Sequence, residues 1–138
     1  MGGGAPPPPP PLVDECSANS DPTVSCKIIS IEGELYKKSE TEGKIKVHWL
    51  AGCCQPIANC WDPTLDQKVT TKVRHVTNWG DVWQEKTHTF SGASGSGDDW
   101  FDVSIHITTV RYECHGIVEC HCEAFNGSAS AMCKLYPP

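Results

Sequence analysis

Apolar and polar residues alternate with a period of two along most of this chain. In residues 44–50, Ile45, Val47 and Trp49 fall on one side, and Lys44, Lys46 and His48 on the other. In residues 100–110, Phe101, Val103, Ile105 and Ile107 alternate with Asp102, Ser104, His106 and Thr108. The same rhythm places Val24, Cys26 and Ile28 together, then Val69, Thr71 and Val73, then Val118, Cys120, Cys122 and Ala124, then Ala129, Ala131, Cys133 and Leu135. A half-buried antiparallel strand requires this alternation. No stretch carries a helical period. Polar, glycine-rich segments at 33–43 and 91–99 read as turn and flexible loop, and Asn126-Gly127 as a tight hairpin. The pattern predicts an all-β sandwich or barrel.

Six prolines, Pro6 to Pro11, follow three glycines at the N-terminus. They favour an extended polyproline II rod and cannot contribute to a core. Residues 1–12 are therefore read as a tail or linker, and 13–138 as one domain. The chain's 138 residues leave room for a single core. A net charge of −6 with scattered Lys and Arg argues against nucleic acid and anionic membrane as partners. No apolar run reaches the roughly 20 residues needed to span a bilayer. The N-terminus lacks a hydrophobic signal core, so a secreted reading takes the leader as already removed.

Nine cysteines change the picture. Their spacings, C-x9-C, CC-x5-C, C-x5-C-x-C and C-x10-C, match neither a zinc ribbon nor a haem motif. A disulfide framework made in an oxidising compartment fits better. The odd number leaves at least one thiol free or paired with another chain. Cys114-His115 and Cys120-His121-Cys122 look metal-like, but on a strand His121 points away from its cysteine neighbours, so exposed histidines beside disulfides explain them more simply.

Cys26, Trp49 and Cys122 follow one another on inward-facing positions. Here the sequence resembles the immunoglobulin superfamily, and most closely its intermediate set. Val24-Ser-Cys-Lys27 is similar to strand B, Lys46-Val-His-Trp-Leu-Ala-Gly52 to strand C, and Phe101-Asp-Val-Ser-Ile-His-Ile107 to strand E. The segment from Cys122-Glu-Ala-Phe-Asn126 to Ala131 is similar to strand F, its hairpin and the start of G. The resemblance implies an immunoglobulin-like antiparallel sandwich. An inter-sheet disulfide would join Cys26 to Cys122 and pack against a core Trp49. The departures are specific. Gly116, Val118 and Cys120 stand where the family has aspartate, glycine and tyrosine, so Cys120 is a second candidate partner for Cys26. Cys53, Cys54 and Cys60 have no family counterpart. Further bridges are expected among these three and Cys16, Cys114, Cys120 and Cys133. Residues 61–90 also resemble the middle of a calcium-dependent C2 domain. Asp62, Asp66, Asp98 and Asp99 would be its carboxylates, but they read more simply as solvated loop residues.

No catalytic motif, phosphate loop or cofactor signature stands out, so the expected activity is binding without cofactor or catalysis. Asn126-Gly127-Ser128 is an N-glycosylation acceptor. Trp79, Trp83 and Trp100 exceed what the core needs and form a candidate ligand patch, the alternative being burial under the long insertions. The expected role is extracellular recognition at a cell surface or in secretion: adhesion, receptor–ligand or immune recognition of a protein, including homophilic contact. A secreted carbohydrate- or calcium-binding sandwich is the alternative, as is a structural subunit of an extracellular matrix or filament.

Overall fold

Strand β3 (Glu42–Cys53) buries Gly43, Ile45, Val47, Trp49, Ala51 and Cys53 and turns the residues between them outward. Each large apolar side chain so buried contributes about 1.5–3 kcal/mol. The same logic, repeated, builds the computed structural model, which describes residues 10–20, 27–53, 67–91, 94–121 and 126–138. Seven further strands are described: β1 (Leu12–Asn19), β2 (Lys27–Lys37), β4 (Gln67–Thr77), β5 (Gly80–Phe90), β6 (Ser94–Ser104), β7 (Thr109–His121) and β8 (Asn126–Leu135). They form two antiparallel four-stranded sheets, ordered β1-β2-β3-β6 and β5-β4-β7-β8. The chain is thus an all-β sandwich.

Ile29, Ile31, Leu35, Ile45, Val47 and Phe101 face Val69, Val73, Tyr112, Val118 and Leu135 across the interior. Among the described residues two disulfides cross between the sheets, Cys16–Cys133 from β1 to β8 and Cys53–Cys120 from β3 to β7. Trp49 is buried against this interior, stacked on His88 with ring centres 5.6 Å apart and close to Phe90 at 6.5 Å. Cys26, Cys122, Cys54 and Cys60 lie outside the described residues, and with them the expected Cys26–Cys122 bridge.

The strand order is not the immunoglobulin one. In that arrangement strands B and C lie in opposite sheets. Here β2 and β3 are direct neighbours, paired from Lys27↔Cys53 to Lys37↔Gly43. Four local expectations also change. Ile28 faces solvent, and Ile29, Ile31 and Leu35 form the inner face of β2. Residues 33–37, read as turn, continue β2, because Glu32, Glu34 and Tyr36 occupy its outer face. Residues 94–99, read as flexible loop, are strand. There Gly95 and Gly97 lie beneath the Phe90 and Trp49 rings, each so close that an added Cβ would stand 2.9 Å from a ring carbon. Glycine here makes a bed for aromatics. Finally, β6 ends at Ser104, so Ile107 sits on a turn and is fully exposed.

β4 carries polar residues inward, and each has a partner, as burial demands. The Gln67 side-chain oxygen accepts from the His121 amide at 2.6 Å. The Thr71 hydroxyl donates to buried Asp99, whose other oxygen lies 2.6 Å from His88 Nε2. His75 Nε2 lies 2.8 Å from the Thr109 hydroxyl.

Candidate recognition surface

The β4–β5 hairpin turns at Asn78 and Trp79, with Gly80 at a φ of 145° that favours glycine. The Thr77 hydroxyl clips the turn by donating to the Gly80 carbonyl at 2.8 Å and accepting from the Trp79 amide at 3.2 Å. This short hairpin holds three large apolar side chains in solvent: Trp79 at 87% exposure, Val82 at 60% and Trp83 at 50%. Trp79 and Trp83 are thus surface residues of this hairpin. Trp100 is also exposed, but β6 carries it on the outer face of the other sheet, away from this pair.

Two environments flank the hairpin. On the outer face of its sheet, Trp83 lies across from Arg74, whose guanidinium carbon is 5.4 Å from the ring centre. Lys72 approaches the same ring at 6.0 Å and His115 at 5.2 Å. Beneath them is Glu113, buried although it points outward. Arg111 Nε donates to it at 2.8 Å, Arg74 Nη1 donates at 3.3 Å, and His115 Nε2 stands 3.0 Å away. Burial alone would raise the Glu113 carboxyl. Hydrogen bonds from His115, Arg111 and Arg74 outweigh it and hold the group at about 2. Arg74 is shared with Asp81 near the hairpin tip, its Nε donating at 2.8 Å. The network thus ties hairpin to sheet and fixes the bed on which Trp83 rests.

On the inner side, between the ends of the sheets, lies an open cavity of about 350 Å³. Trp79 and Val82 form one wall, and His75, His106, Gln84 and Asp102 supply polar groups. His75 stacks on His106 at 5.8 Å and on Tyr112 at 4.7 Å. Burial, then the proximity of His106, pushes the His75 pKa down, so its ring is neutral at physiological pH. Apolar walls with a few convergent polar groups are what a ligand site requires.

No protein family, curated protein or solved structure matches this chain.

The remaining candidates have structural places. Asp98 lies 2.6 Å from His48 Nδ1 on the outer face, whereas Asp99 is buried between Thr71 and His88. The two point to opposite faces and do not converge on one cation. Asp62, Asp66 and Trp61 lie outside the described residues. Asn126 opens β8 opposite His121, at the end of the sheet away from the Trp79 turn. Cys114 is unpaired and wholly buried, with its thiol pushed up to about 12 by burial. It sits directly across from Cys133, and the sulfurs of Cys16, Cys114 and Cys133 all lie within 4.8 Å of one another. A thiol in that position cannot reach a second chain.

Arg74 and Glu113 escaped the sequence reading, and His115 entered it only through the metal-like Cys114-His115 pair. A usable signal exists: Arg111, Glu113 and His115 recur at every second position of one strand and so share a face. What the sequence does not supply is the register that sets Arg74 beside Glu113 and Trp83 beside Arg74.

Proposed function

We propose that this chain is an extracellular recognition domain that binds a protein partner through the β4–β5 hairpin, with no bond-making step. One observation carries the reading: a short hairpin fastened by Arg74, Asp81 and Glu113 exposes Trp83 on its outer face and Trp79 and Val82 on its cavity side. Tryptophan and arginine dominate the energetic centres of protein interfaces, and a rigid presentation lowers the entropy lost on binding. The two inter-sheet disulfides support an oxidising compartment. A glycan on Asn126 would sit at the far end of the sheet and leave the hairpin open. The recognition role expected from the immunoglobulin resemblance is kept, but it rests on this surface and not on the strand order.

The test is binding of fluorescent tetramers of the chain to a panel of intact cells and to a glycan array. Trp79→Ala/Trp83→Ala should lower cell binding at least about tenfold, the scale of one hot-spot pair, with an unchanged melting temperature. Equal binding by wild type and variant would overturn the reading. Saturable, Trp79-dependent binding to free sugars would replace it with the carbohydrate alternative.

A further inference from the structure

The Cys16–Cys133 bridge has a third sulfur beside it. Cys16 sits on β1 opposite Gly33 of β2, and Cys114 and Cys133 stand directly across from each other on β7 and β8. All three sulfurs lie within 4.8 Å of one another. Gly33 makes room for them, since a Cβ there would stand 2.7 Å from Cys114 Sγ and 3.1 Å from Cys16 Sγ. Cys114 is the unpaired member and is wholly buried, whereas Cys16 is only partly buried.

One disulfide among three adjacent sulfurs can be placed in more than one way. Disulfides exchange when a thiolate attacks one sulfur of the bond and the other sulfur leaves. Cys114 and Cys133 have the spacing for a bridge of their own. Residues directly opposite on antiparallel strands have Cα atoms about 4.5–5.5 Å apart, and a disulfide spans about 4.4–6.8 Å. The favoured attack is therefore Cys114 Sγ on Cys133 Sγ. The Cys114–Cys133 bond forms, the Cys16–Cys133 bond breaks, and Cys16 leaves as a thiolate that takes up the proton Cys114 has lost. No oxidant or reductant is consumed. Burial pushes the Cys114 thiol up to about 12 and leaves little thiolate, so the exchange runs on the order of hours.

The fold accommodates the change. β1 is held independently of the bridge by its pairing with β2 from Asp14↔Leu35 to Asn19↔Ser30, and by the Tyr136 amide, which donates to the Asp14 carboxylate at 2.8 Å. What moves is the free thiol. It passes from the interior of β7 to β1, the edge strand of its sheet, where Cys16 and Gly33 help to line an open depression of about 340 Å³.

We propose that Cys16, Cys114 and Cys133 form an internal thiol–disulfide relay, in which Cys114 takes Cys133 from Cys16 and so makes Cys16 the thiol that small electrophiles modify in the folded chain. The relay lies apart from the β4–β5 hairpin and does not depend on the reading given for it.

The test holds the native full chain with iodoacetamide at mildly alkaline pH and follows it by non-reducing peptide mapping. Cleavage after Asp and Glu puts Cys16, Cys114 and Cys133 on separate peptides, 16–21, 114–119 and 124–138. The label should accumulate on Cys16, while a linked pair of 114–119 with 124–138 replaces the pair of 16–21 with 124–138. In Cys114→Ala, whose smaller side chain fits the same space, the Cys16 label should be lost and Cys16 should stay bridged to Cys133. An intact Cys53–Cys120 bridge and an unchanged melting temperature show that the variant is folded. Equal labelling of Cys16 in the two chains would overturn the proposal, as would label on Cys114 itself or no label on any of the three. Scrambling of Cys53–Cys120 in step with the Cys16 label would also overturn it, since the exchange would then run through the unfolded chain. Label on Cys133, with Cys16 linked to Cys114, would overturn the assignment of Cys133 as the sulfur attacked.

Discussion

Replacing Glu113 with glutamine separates the electrostatic role of this carboxylate from its packing, since the two side chains have nearly the same shape. In the folded chain the carboxyl is held at about 2, against an ordinary 4.5, with burial opposed and exceeded by His115, Arg111 and Arg74. A folded value below the unfolded one means that ionised Glu113 stabilises the fold above pH 4.5, and that this stabilisation is lost as pH falls toward 2. The difference corresponds to about 3 kcal/mol at neutral pH. At pH 3 the unfolded carboxyl is almost fully protonated and the folded one is not, which leaves about 1.5 kcal/mol. Glu113→Gln should therefore unfold at lower urea than wild type at pH 7, and the gap should narrow by about half at pH 3. Because other carboxylates titrate in both proteins, the difference between the two curves is the quantity to read. A gap that stays constant from pH 7 to pH 3 would refute the reasoning, as would a variant as stable as wild type at pH 7.

Three further outcomes follow from the sulfur cluster. A Cβ at Gly33 would stand 2.7 Å from Cys114 Sγ and 3.1 Å from Cys16 Sγ, so Gly33→Ala should cost about 2 kcal/mol by overpacking, with most of it recovered in Gly33→Ala/Cys114→Ala; urea unfolding of the three variants checks this. Cys114 should resist maleimide in the native chain and react in guanidinium, read from the mass of its own peptide, because its thiol is buried and pushed up to about 12. Cys16→Ser/Cys133→Ser should lower stability by about 4 kcal/mol, somewhat less than a loop of 117 residues alone implies, since Cys53–Cys120 already closes 67 of them; a loss below 1 kcal/mol by the same assay would show that the bridge is not a structural one.

Where the sequence was legible, one face of a strand was apolar and the other polar. β3 and β8 meet that condition, and their inner residues Ile45, Val47, Trp49, Ala131, Cys133 and Leu135 are the buried ones. It failed where the inner face lacks the usual bulk. β2 turns Gly33 inward to clear the sulfurs, and β6 turns Gly95 and Gly97 inward beneath Phe90 and Trp49, so strand looked like turn or loop. It failed on β5 because that strand is an edge whose residues are mostly exposed on both faces, which erases alternation. Sheet order was beyond reach for a different reason. Period two says which side of a strand faces the core but not which strand lies beside it, and the pairing of β2 with β3 is what parts this sandwich from the immunoglobulin arrangement.

That limit also explains why the hairpin patch could be suspected but not placed. Trp79 and Trp83 are conspicuous in sequence, yet a strand can hide one tryptophan as readily as display it. Their exposure follows from what already fills the interior at that end. His75, on the inner face of β4, stacks on Tyr112, whose hydroxyl donates to the Ser104 carbonyl. Trp83 lies one residue out of phase with that inner face, across from Arg74, and so cannot turn inward without a register slip that would also send Val82 and Gln84 outward. Such a slip would separate Arg74 from Asp81. The exposure is therefore fixed by the same pairings that hold the sheet, and a partner that covers Trp79 and Trp83 gains apolar burial that this chain cannot obtain by rearranging itself.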